Sequence, residues 1–93
     1  MAESIIQKER ECYICGAVTG LEEHHVLGGT ANRKLSEKYG LKVYLCPFHH
    51  RDVKSGVQYN KDLNLMMKKR AQAAFQDIYG HKLWMQLFRK NYL

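Results

Sequence analysis

Apolar residues along this 93-residue chain change period between its two halves, and that change predicts the elements. From Leu63 onward they recur at helical spacing (Leu63, Met67, Ala71 or Ala74, Ile78), flanked by Met66 and Phe75. One apolar face predicts an amphipathic helix from Lys61 to Tyr79, with Asn60 as N-cap and Gly80 as the stop. Leu83, Trp84, Leu87 and Phe88 then share a face and predict a second helix from His81 to Lys90. Upstream the period falls to two. Leu41 to Leu45 (LKVYL) alternates apolar and polar and predicts a strand running into Cys46. Leu21 to Leu27 reads as a short strand ended by Gly28-Gly29-Thr30. Between them, Asn32 to Tyr39 reads as a short helix or structured loop stopped at Gly40. Pro47 opens a helix from about Phe48 to Lys54, since a first turn has no use for the missing amide hydrogen. Residues 1–11, polar apart from Ile5 and Ile6, form a lead-in. The expected fold class is α+β, one small domain with a helical C-terminal third.

A chain of this length buries a limited core, so a staple is expected. Three cysteines fit a disulfide framework poorly, and neither an apolar leader nor a bilayer-length apolar run is present. The expected setting is reducing and cytoplasmic. Net charge is +6 and uneven: residues 61–93 carry seven basic against two acidic groups, while residues 1–60 are nearly balanced. A basic segment of this kind fits a polyanion, nucleic acid first, although a Lys/Arg-rich helix face is as often a solvated surface. Lys68, Lys69 and Arg70 are the cluster placed to lie along a phosphate backbone. Burying the helices' apolar faces on the rest of the chain predicts a monomer; pairing them between copies predicts a homodimer.

All three cysteines and four of the five histidines lie between Cys12 and His50. Cys12-x-x-Cys15 and Cys46-x-x-His49 each have the two-residue spacing that lets two side chains reach one tetrahedral ion, which predicts a Cys₃His structural zinc site. His49 is preferred over its neighbour His50 because it repeats that spacing. His24, His25 and His50 are then left over. Adjacent strand residues point to opposite faces, so one of His24 and His25 can hold a divalent cation while the other serves as general base. His50 is the candidate second ligand. Glu22 and Glu23 beside the first doublet read as solvated carboxylates rather than partners of a metal or an imidazole.

These residues (CYIC, EHHV, an Asn, then LCPFHHRDVK) resemble the HNH endonuclease family over about half of the chain, from Cys12 to about Lys54. The resemblance implies a ββα-metal core of two antiparallel strands and a helix, of the zinc-knuckle type that phages and mobile elements encode. It implies His24 and His50 as ligands of a catalytic Mg²⁺, Mn²⁺, Ni²⁺ or Zn²⁺, and His25 as the base that activates water. The family's Asn falls to Asn32, expected to pin the connecting loop. Arg51 or Lys54 would meet the scissile phosphate. The implied activity is hydrolysis or nicking of DNA, with DNA preferred to RNA and activity falling below about pH 6. The competing expectation is a zinc-stapled nucleic-acid adaptor or interaction protein without nuclease activity.

Overall fold

The computed structural model describes residues 3–51 and 60–93, Arg51 through its backbone alone. Strand β1 (Glu22–His25) is followed by helix α1 (Thr30–Tyr39), strand β2 (Lys42–Leu45), and helices α2 (Pro47–Arg51), α3 (Lys61–Tyr79) and α4 (His81–Phe88). The two strands pair antiparallel, with Glu22 opposite Leu45 and His24 opposite Val43. The result is a small α+β domain with a two-stranded sheet and, among the described residues, four helices.

The alternation read in LKVYL sets the sheet's faces. Leu41, Val43 and Leu45 are buried in the core. Lys42 and Tyr44 point the other way, toward the lead-in, which covers the outer edge of β2. Ser4 Oγ donates to Lys42 O, Tyr44 N donates to Gln7 Oε1 and Tyr13 N donates to Tyr44 O. α1 stops at Gly40, whose φ of 73° is left-handed and suits glycine. A Cβ there would also collide with the carbonyl oxygen of Glu3. α2 packs against both strands.

Asn60 caps α3 by accepting from Leu63 N at 3.1 Å. The α3 face turned inward is Met67, Ala71 and Phe75, joined by Trp84 of α4 and edged by Tyr39 of α1, whose ring lies 5.2 Å from that of Phe75. Each large apolar side chain so buried contributes roughly 1.5–3 kcal/mol. Several features differ from expectation. β1 is shorter than Leu21–Leu27, and α1 begins at Thr30 rather than Asn32. Ile78 is 56% exposed, although helical spacing puts it on the same face as Met67, Ala71 and Phe75. α4 ends at Phe88, where Arg89 takes a left-handed turn and Lys90 O accepts from Trp84 Nε1. The expected extension of α2 to Lys54 lies outside the described residues.

Candidate metal centre and histidine cavity

Cys12, Cys15, Cys46 and His49 come together with all four ligand atoms within 4.8 Å of one another. Cys15 Sγ lies 3.8 Å from Cys46 Sγ, and His49 Nδ1 lies 3.4 Å from Cys46 Sγ and 3.7 Å from Cys12 Sγ. Zinc bonds of about 2.3 Å to sulfur and 2.0 Å to nitrogen, at tetrahedral angles, require ligand separations of roughly 3.5–3.8 Å. The four donors therefore fit a structural zinc ion, and His49, not His50, is the fourth. Local backbone builds the grip. Gly16 N donates to Cys12 O across a turn with φ of 80°, and His49 N donates to Cys46 O. Burial raises the Cys12 thiol, but hydrogen bonds from the backbone of Cys46, Cys15 and Ile14 outweigh it and bring the thiol down to about 6. Thiolate, the form that binds zinc, is favoured at that position.

The other three histidines meet elsewhere. β1 turns Glu22 and His24 to the face on which β2 turns Leu45 and Val43. On that face the ring of His24 lies 5.2 Å from the ring of His50, edge to face. His50 Nδ1–H donates to Glu22 Oε1 at 2.7 Å. Burial, then the nearby His50 and His25, push His24 down to about 4, so it is a neutral imidazole at physiological pH.

His25 faces the opposite side. Its Nε2–H donates to Glu37 Oε1 at 2.6 Å, and Lys42 Nζ donates to Glu37 Oε2 at 3.3 Å and to Glu23 Oε1 at 2.9 Å. The bond from His25, with help from Lys42, holds the Glu37 carboxyl below its ordinary range. Burial would lower Lys42, only 7% exposed, but its bonds to Glu23 and Glu37 raise it instead. An ionised carboxylate thus fixes the His25 tautomer and leaves Nδ1 as a proton acceptor.

All three histidines nevertheless border one cavity of about 480 Å³, because it wraps the end of β1 rather than lying on one face. Among the described residues, Glu23, Arg33, Asn64 and Lys68 complete its polar wall. Of the residues singled out in the sequence, His24, His25, His50 and Lys68 are brought together there. Asn32, on α1, does not line this cavity; its neighbour Arg33 does. Lys69 lines a separate cleft with Lys68, and Arg70 turns toward the zinc knuckle, donating to Tyr13 Oη at 3.0 Å. The Arg51 side chain and Lys54 lie outside the described residues. Glu22 and Glu23, expected as solvated, are bonded to His50 and Lys42 because the strand pairing and α2 bring those partners alongside. Sequence reasoning passed over Arg33, Glu37 and Lys42. Only the four-residue interval from Arg33 to Glu37, one helix face, hinted that they could act together.

No helix among the described residues is long and apolar enough to cross a membrane. Comparison with protein-family models, with curated proteins and with solved structures finds no match.

Proposed function

We propose that this protein is a metal-dependent endonuclease that hydrolyses phosphodiester bonds of DNA, with a ββα-metal core of the HNH kind formed by β1, β2 and α2. The observation that carries this reading is the inner face of β1. Where β2 buries Leu45 and Val43, β1 places Glu22 and His24, and His24 sits there neutral beside His50. Polar groups on the sheet's inner face cost stability unless they are well bonded. A site that uses them accounts for the expense.

His24 and His50 are the residues that would hold a divalent cation, both through uncharged nitrogens. Glu22 orients His50 by its Nδ1–H bond, as carboxylates do behind metal-binding histidines. When bound, the cation supplies Lewis-acid stabilisation of charge on the phosphate. His25 Nδ1 takes the proton of the attacking water, held in place through Nε2 by Glu37. Arg33 and Lys68 in the cavity wall attract and orient the phosphate.

The test is nicking of supercoiled plasmid by zinc-loaded protein with added Mg²⁺, Mn²⁺ or Ni²⁺. Wild type is expected to nick, and His25→Ala to abolish nicking with zinc content unchanged. Glu37→Gln should slow it by about 10- to 100-fold. Wild type that shifts the plasmid in a gel but leaves it uncut with every metal would instead identify a nucleic-acid adaptor.

A further inference from the structure

The histidine cavity does not end at Lys68. Asn64 and Lys68 also line a second cleft of about 790 Å³, whose other cations are Lys61 and Lys69 of α3 and Lys90 of the segment after α4. That segment is held in place. Gln72, fully buried on α3, donates through Nε2 to Asn91 Oδ1 at 2.7 Å and accepts from Tyr92 N at 2.7 Å through Oε1. Trp84 Nε1 donates to Lys90 O at 2.8 Å. Two buried side chains thus fasten residues 90–92 along α3 and set Lys90 across from Lys68 and Lys69.

Among the described residues the cleft offers four ammonium groups and no carboxylate in its lining. Its aromatic ring, Tyr92, is covered by the ammonium groups of Lys68 (5.5 Å) and Lys90 (5.3 Å), so the surface presents charge rather than a platform for stacking a base. Charge without base-reading or stacking groups suits a phosphate backbone. Arg70 is not part of it, being turned to Tyr13.

We propose that this cleft holds the sugar–phosphate backbone of duplex DNA on one side of the bond placed in the histidine cavity, in a sequence-independent way. Its continuity with the cleavage site rests on the nuclease reading; its affinity for the backbone does not. Asn64 and Lys68 are the junction between the two.

Binding of a fluorescein-labelled DNA duplex, followed by anisotropy over a salt series without added divalent metal, tests it. Lys69→Gln/Lys90→Gln should weaken binding by at least tenfold at low salt. It should also reduce the slope of log K against log salt by about 2, since each lost phosphate contact is worth about 0.9. Lys34→Gln/Lys82→Gln removes the same charge outside the cleft and should leave the slope within about 0.5 of wild type, a margin well below one contact. Equal losses in both double variants, or none in either, overturn the proposal, as does competition by polyglutamate as effective as that by unlabelled duplex. Cleft-dependent binding with no cleavage under any metal leaves the cleft standing and removes the nuclease reading. Cleavage with unaltered binding in Lys69→Gln/Lys90→Gln does the reverse.

Discussion

His49 and His50 are neighbours in sequence and belong to two different kinds of site. His49 closes a quartet in which every other donor is a cysteine and two of the three sulfurs are buried. His50 stands with His24 at the wall of an open cavity, its Nδ1–H already given to the Glu22 carboxylate. The first arrangement has four donors at the separations of one tetrahedral ion. The second has a neutral His24 beside His50 and space around them. Residue type alone does not separate a staple from a workplace; the number of converging donors and the access around them do.

The sharpest way to break that contrast is to remove one donor from each side. Cys12→Ala should abolish zinc binding and cooperative unfolding together, because structural zinc contributes on the order of 10 kcal/mol to such domains. His24→Ala should keep both, measured by zinc stoichiometry and a circular-dichroism melt. If the two variants behaved alike, the division between sites would be wrong.

A medium-sized effect is expected with pH. His24 lies at about 4 in the fold against an ordinary 6.5. The unfolded chain therefore takes up a proton between those values and the folded one does not. His24's neutral burial is fully compatible with folding above pH 6.5, and stability falls as pH drops from 6.5 toward 4. At pH 5 the loss is at most about 2 kcal/mol. Urea unfolding at pH 7 and pH 5 should show it as a pH dependence steeper in wild type than in His24→Asn. Subtracting the variant cancels proton uptake by the zinc ligands, and equal slopes would contradict a buried neutral His24.

The smallest change should come from Glu22→Gln. The carboxylate is partly exposed, so losing its charge should cost less than about 1 kcal/mol in the same unfolding assay. A larger loss, with zinc retained, would make Glu22 a structural member of the core rather than a partner of His50.

Local pattern made much of this legible. The alternation in LKVYL gave β2 and its inward residues, Asn60 and Gly80 bounded α3, and the paired two-residue spacings gave the zinc ligands. The strand reading of His24 and His25 placed them on opposite faces, which the register of β1 against Val43 and Lys42 bears out. What escaped was whatever depended on distant segments meeting. Glu37 reaches His25 only because α1 folds back beside β1, and Lys42 looked like an outward polar residue until two carboxylates enclosed it. Arg33 resembled any exposed helix charge. The tail after α4 was expected to pack or fray, and its attachment depends on one glutamine whose burial no periodicity announces.

The strip of chain laid over β2 has a consequence for how copies of this protein meet. A two-stranded sheet has two outer edges, and an open edge invites another strand to join it. Here Ser4, Gln7 and Tyr13 bond to the backbone of β2 and close one edge. The end of the other strand opens on the histidine cavity, where Arg33 and Lys68 outnumber Glu23, in a molecule of net charge +6. Sheet-to-sheet stacking between copies would have to displace the protein's own chain at one side and crowd like charges at the other. The sheet can thus stay small without becoming adhesive.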